Sequence, residues 1–331
     1  MNVRSTSPGL YPLPDDAKET LSDLKGHQRG DMISGDESDA VKDVYDDVRA
    51  DLVRTQRDAG LDLIVEGHAR WDDMLAHPLA VHDNVETGGI VRYYDNNNFY
   101  RDPVVRGDLD FDGDMAADLE AAASLTDDLQ AVAPSPYSLA ELATDEHYED
   151  ESVFFDAVTD FLAAEIEAFP PAVETVFLLD PSLVTNPPGD DRVEHVSEGI
   201  DRVANAADAD VVLHPYWGAL TERVHAHVLD ADIDALGYDL VTDHEANLHN
   251  IAEYGTTEDV ALGVVDGQNT LVEDPETILE RVEWIDQQTP SAQEFETVYL
   301  TSNTELFYLP VNRFEAKLNA LAAAAEMGVD R

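Results

Sequence analysis

The sequence runs to 331 residues, with 71 acidic side chains against 19 basic ones, a formal net charge of -52 and hydrophobic residues at 44 %. That apolar share excludes an acidic disordered tail, and the charge excludes nucleic acid as a partner, because its phosphates would be repelled nearly everywhere. No cysteine is present, which removes disulfides, thiolate nucleophiles and sulfur-ligated zinc together.

The acids are spread along the chain rather than blocked in a tail. At molar salt the Debye length falls to about 3 Å and screens their repulsion. The composition therefore reads as a salt-adapted, haloarchaeal kind of cytoplasmic protein. Residues 1–14 carry no apolar segment behind a basic start, and nowhere do about 18 apolar residues run together, so neither export nor a membrane span is expected.

Candidate strands fall at 3–7, 61–67, 129–133, 175–180, 209–216, 233–241, 259–266 and 297–303. Amphipathic stretches fall between most of them. Over 39–59, Val41, Val44, Tyr45, Val48, Leu52 and Val53 share one helix face and Gly60 follows as a stop. Further helices are expected over 152–168, 193–207, 275–287 and 311–326. Strand and helix alternate, and eight strands favour closure, so the fold class is α/β: a single (β/α)8 TIM barrel spanning 1–331. Two aromatic and β-branched runs flank Asn96-Asn97-Asn98, which predicts a hairpin or long loop over the C-terminal mouth. The acidic, Ala-rich 107–128 segment reads as a solvated helix or loop.

Four late runs turn polar at their carboxyl ends: Leu213-His214-Pro215-Tyr216-Trp217-Gly218, Gly237-Tyr238-Asp239-Leu240-Val241, Leu262-Gly263-Val264-Val265-Asp266-Gly267-Gln268-Asn269, and Thr301-Ser302-Asn303-Thr304-Glu305-Leu306-Phe307-Tyr308-Leu309-Pro310. In a barrel these ends meet at the mouth. The candidate substrate-binding residues are Glu66, Asn97, Asp180, His214, Tyr216, Asp239, Asp266, Asn303 and Glu305. No residue is assigned a catalytic role. A strand-end acid alone more often caps the next helix; convergence on one mouth raises the group above that reading. His214 would need Asp239 or Glu305 beside it to hold a metal, and a lone strand-end histidine is more often a hydrogen-bonded core residue. His225 and His227 lie on different faces of a helix and read as surface residues, whereas His244 and His249 could face the mouth. Tyr11, Trp71 and Tyr93 are candidates for an apolar wall or for core filling. No phosphate loop, nucleophile elbow or dinucleotide fingerprint is found.

The runs Tyr94-Asp95-Asn96-Asn97-Asn98-Phe99-Tyr100, Tyr216-Trp217-Gly218, Gly237-Tyr238-Asp239, Gly263-Val264-Val265-Asp266-Gly267-Gln268-Asn269 and Leu306-Phe307-Tyr308-Leu309-Pro310-Val311 stand in an order that resembles the cobalamin-independent methionine synthases. The chain is more similar to their N-terminal barrel than to their catalytic one, and the resemblance implies the barrel fold of the uroporphyrinogen decarboxylase-like superfamily. The resemblance implies methyl transfer to homocysteine from methyl-folate or a methyl-corrinoid protein. In that family a His-x-Cys pair, a Glu and a later Cys hold zinc. Anchored on Tyr216, those sulfur and imidazole positions fall on Leu213, Pro215 and Thr304. Zinc could thus be held only without cysteine, and no cofactor is assigned. Two readings follow: a methyltransferase of the homocysteine type, or a non-catalytic barrel that assists a separate zinc-bearing chain. A third, a decarboxylase of the porphyrin fold, would lean on Arg70, Arg92 and Arg101 for substrate carboxylates.

Overall fold

Parallel pairing requires each strand to be followed by a return crossover, and the chain supplies a helix for nearly every one. The computed structural model describes residues 1–25, 37–94, 99–289 and 295–328. In chain order the elements are β1 (Asn2–Ser5), α1 (Asp15–Lys25), α2 (Asp39–Ala59), β2 (Ile64–Val65), α3 (His77–Ala80), β3 (Val85–Arg92), β4 (Phe99–Val105), α4 (Asp114–Ala123), β5 (Leu129–Pro134), α5 (Pro136–Leu142) and β6 (Thr144–Asp145). There follow α6 (Glu151–Glu167), β7 (Val173–Leu179), α7 (Ser182–Thr185), α8 (Val193–Ala204), β8 (Asp210–His214), α9 (Glu222–Val228), β9 (Ala235–Asp239), α10 (His244–Tyr254), β10 (Asp259–Val265), α11 (Pro275–Gln288), β11 (Thr297–Ser302) and α12 (Val311–Met327).

Eight strands form one parallel sheet in the order β1-β11-β10-β9-β8-β7-β5-β2. Its two ends meet: the backbone N–H groups of Asp62 and Leu63 donate to the Ser5 carbonyl at 3.1 and 3.2 Å, and the Asp62 carboxylate accepts from Ser5 N and Oγ at 2.7 Å each. The sheet is a (β/α)8 barrel. Alternation along the strands sends Phe177, His214 and Tyr299 inward, where the Phe177 ring lies 5.9 Å from His214 and 6.0 Å from Tyr299. Thr6 donates to Gln130 at 2.6 Å in the same interior.

The second strand is only two residues long because a side chain replaces a strand neighbour. Gln56 of α2 donates to the Val65 carbonyl at 2.8 Å and accepts from Val65 N at 2.9 Å. The expected hairpin is present as antiparallel β3 and β4, with β6 adding a short third strand. Its turn, Asn97 included, lies outside the described residues. The 107–128 stretch departs from the solvated reading, since α4 buries Met115, Ala116, Leu119 and Ala122 at helical spacing against the barrel. Among the described residues no helix is long and apolar enough to cross a membrane.

Candidate functional site

The end of β8 places His214 fully inside the barrel. Its Nε2 lies 3.0 Å from the Asn303 carbonyl oxygen, which only accepts, so the proton resides on Nε2. Burial lowers the His214 pKa and keeps the ring neutral. Nδ1 has no partner and is pressed onto β9: a Cβ built on Gly237 would stand 2.3 Å from it. The strand carries glycine there because only a bare Cα admits the imidazole.

Asp239 ends β9, and hydrogen bonds occupy both of its oxygens. It accepts from Trp217 N at 2.9 Å, Val241 N at 3.0 Å, Thr242 N at 2.8 Å and Thr242 Oγ1 at 2.7 Å. Asn303 Nδ2 adds contacts at 3.1 and 3.2 Å, while Asn303 Oδ1 accepts from Gly267 N at 2.9 Å. These bonds tie the ends of β8, β9, β10 and β11 together. Asp266 is half-buried at the same rim, and its carboxylate caps Gln268 N at 2.9 Å.

A second group stands on the hairpin side. Tyr216 donates to Glu305 Oε1 at 2.5 Å, and Thr304 Oγ1 donates to Glu305 Oε2. Burial raises the pKa of Glu305, and burial together with the Glu305 charge raises that of Tyr216. Tyr94 and Tyr216 both meet the Trp217 ring, at 5.4 and 4.9 Å between centroids. Tyr94 and Trp217 hold positive φ, 38° and 69°, a backbone cost that residues of this size rarely bear outside a constrained site.

Asp180, just past β7, accepts from Ser138 Oγ at 2.6 Å and Leu183 N at 3.2 Å. Its other oxygen lacks a partner of good geometry, although the Ser135 hydroxyl stands beside it. Burial pushes the Asp180 pKa up to about 6. Its charge also acts on Tyr94 and Tyr216, so the three face one another. Tyr94 further shares a hydrogen bond with Ser182.

The structure thus gathers Asp180, His214, Tyr216, Asp239, Asn303 and Glu305, with Asp266 at the rim. It does not bring Glu66 to them. Val65 shares the inward register of Gln130, so Glu66 points outward, where Arg49 of α2 donates to it at 3.3 Å. There it belongs to a buried network in which Arg49 meets Asp118 at 2.6 Å and Arg70 meets Glu37, Asp114 and Asp118 at 3.3, 2.8 and 2.8 Å, while the exposed Asp46 pairs with Arg49 from the surface at 2.6 Å. Arg70 is therefore committed to carboxylates of the chain itself.

Other sequence readings change with the coordinates. His225 is buried rather than superficial, with Nε2 3.0 Å from the Tyr238 hydroxyl. His244 packs edge-on against Trp284 of α11 and His249 pairs with Glu222 of α9, so both address neighbouring helices. Tyr11 donates to Gln56 at 3.0 Å, Tyr93 donates to Asp73 at 2.6 Å, and Trp71 stacks on His77 at 5.0 Å; all three are built into the core. Sequence reasoning missed Ser138 and the role of Tyr94. The tyrosine carried a signal, since it stands two residues before the run Asn96-Asn97-Asn98.

The positions where family zinc ligands would stand do not suit a metal. Leu213 and Pro215 are buried and apolar, and the Thr304 hydroxyl is given to Glu305. Among the described residues no group of three or more His, Asp or Glu could hold a metal ion.

Comparison with known proteins matches the sequence profile "Cobalamin-independent synthase, N-terminal domain" to residues 79–290, and "Cobalamin-independent synthase, Catalytic domain" to residues 6–151. The methionine synthase of Saccharolobus solfataricus is 26 % identical over 277 residues, which cover 82 % of this chain and 79 % of the relative. That of Sulfolobus acidocaldarius is 21 % identical over 276 residues, covering 82 % and 77 %. The B12-independent methionine synthase of Shewanella sp. W3-18-1, solved in complex with selenomethionine, superposes with a TM-score of 0.79 at 17 % identity, covering 98 % of this chain and 96 % of that one. A putative vitamin-B12 independent methionine synthase of Listeria monocytogenes gives 0.73 at 17 % identity with both chains fully covered. With the N-terminal-domain profile spanning well over half of its length, the chain belongs to the cobalamin-independent methionine synthase family.

Proposed function

We propose that this chain serves methyl transfer to homocysteine as the non-catalytic barrel that assists a separate zinc-bearing methionine synthase chain. One observation carries the reading: where the family's zinc-binding histidine and two cysteines would stand the chain has Leu213, Pro215 and Thr304, and the first two of these fall under the N-terminal-domain profile, beyond the end of the catalytic-domain match. An unperturbed thiol has a pKa near 8.5, and buried carboxylates such as Asp180 and Glu305 would raise that of homocysteine further. On this proposal residues 1–331 act as one barrel unit in the cytoplasm. Asp180, Tyr216 and Glu305, with Tyr94 and Trp217, contribute binding surface for the amino acid or for a methyl-folate or methyl-corrinoid donor.

A second reading, turnover by this chain alone, draws on relatives named methionine synthase that align over most of their own length. Methyl transfer assayed with the purified chain alone, and again with a cysteine-bearing homologue from the same cell, separates the two. Stimulation of the homologue is expected; turnover by this chain alone, or no complex and no effect, would overturn the assisting role.

A further inference from the structure

Nine large apolar side chains are exposed among the described residues, and four of them lie at one place: Ile90 (75 %), Val91 (38 %) and Phe99 (48 %) on the hairpin, and Tyr308 (46 %) in the β11–α12 loop. The Tyr308 hydroxyl stands beside the Phe99 backbone, so the group is continuous. Strand pairing sets Ile90 opposite Arg101 and Arg92 opposite Phe99. With a two-residue period these four share the outer face, while Tyr100 turns inward onto Tyr93 at 4.5 Å.

This face differs in charge from the rest of the molecule. Its four side chains are two guanidinium groups and two apolar groups, on a chain with 71 acids and 19 bases. Arg101 is held by Asp72 at 2.8 Å. Arg92 lies 5.8 Å over the Phe99 ring and meets no carboxylate of the described residues in an ion pair. An exposed apolar patch marks a protein contact, and the guanidinium of Arg92, left over beside it, selects an acidic surface.

We infer that the outer face of the β3–β4 hairpin, Ile90, Arg92, Phe99 and Arg101, is the docking surface for the zinc-bearing barrel, which meets it with a carboxylate-rimmed apolar patch. The inference rests on the assisting role proposed above. A second copy of this chain fits less well: a two-fold contact through this face would set guanidinium against guanidinium.

The test measures binding of the full chain to the cysteine-bearing homologue by sedimentation and calorimetry. Ile90→Glu/Phe99→Glu is expected to weaken the complex by about ten-fold or more, as loss of central apolar anchors does. Arg92→Glu should weaken it less and flatten its salt dependence, and Val153→Glu, exposed on α6, should bind as the wild type does. Circular dichroism of every variant should match the wild type, because all the replaced side chains are exposed. If the wild type binds and the hairpin variants bind equally well, the docking face is wrong while the assisting role stands. If the wild type does not bind, the assisting role fails and takes the inference with it. Self-association abolished by the same variants would make the occupant a second copy and overturn the inference.

Discussion

At the mouth, two buried groups draw stability in opposite directions with pH. Burial raises Asp180 from an ordinary 3.8 to about 6, so between those values the folded state binds more protons than the unfolded one. Stability then falls as pH rises through this window, and the penalty is complete above about 6. For His214 the folded pKa is lowered from 6.5, so the unfolded state takes its proton first and stability falls as pH drops below 6.5. Asp180→Asn keeps an acceptor for Ser138 and Leu183 and removes only the charge. Its stability relative to wild type should climb from pH 4 to pH 7, toward a ceiling of about 3 kcal/mol, in denaturant titrations at fixed salt. A difference that does not change with pH would refute the assignment.

The contact between Gly237 and His214 gives a second test among single side chains. A methyl group at Gly237 would collide with Nδ1 at 2.3 Å, and strand backbone cannot yield as a surface loop does. Gly237→Ala should cost about 1–3 kcal/mol, the usual range for overpacking. In a His214→Ala background the same change should cost far less, since the imidazole it strikes is gone. Equal costs in the two backgrounds, read from a double-mutant cycle, would show that the collision is not what glycine avoids.

For the elements, Gly60 tests the helix stop. It ends α2 at φ 88°, and a Cβ there would meet nothing nearer than Ala322 at 3.8 Å, so any loss is conformational. Gly60→Ala should cost about 1–2 kcal/mol in thermal or chemical unfolding. Gly89, with open space around it and no positive φ, should accept alanine with little change.

That stop was legible from sequence, as were the eight barrel strands, most of them because parallel strands buried on both faces are written as continuous apolar runs. What failed were side-chain directions. Glu66 follows a strand held by a glutamine side chain for two residues, and a single step of register decides between lumen and helix layer. His225 and His227 lie two residues apart on a helix, which requires them to diverge without revealing which one turns inward. The α4 helix hid its apolar face because Asp118, although acidic, belongs to the buried face, bound by Arg49 and Arg70.

Across the whole molecule, scarce cations divide the electrostatics into two parts that salt separates. Most of the 71 carboxylates have no basic side chain to pair with, because the chain offers only 19. Their repulsion is screened as the Debye length shrinks from about 10 Å at 0.1 M to about 3 Å at 1 M, so the unfolding midpoint should rise steeply with KCl over that range and level off beyond it. A midpoint that stays flat would remove the salt-adapted reading. The buried part behaves differently. Arg49 is shared by Glu66 and Asp118, and Arg70 by Glu37, Asp114 and Asp118. Salt does not reach these contacts as it reaches the surface, and removing one guanidinium strands carboxylates away from water. Arg49→Met should therefore cost about 3–5 kcal/mol, and the loss should persist in molar KCl, where surface repulsion is already silent. Recovery of the variant at high salt would mean that ions penetrate the network and that its charges belong to the surface after all.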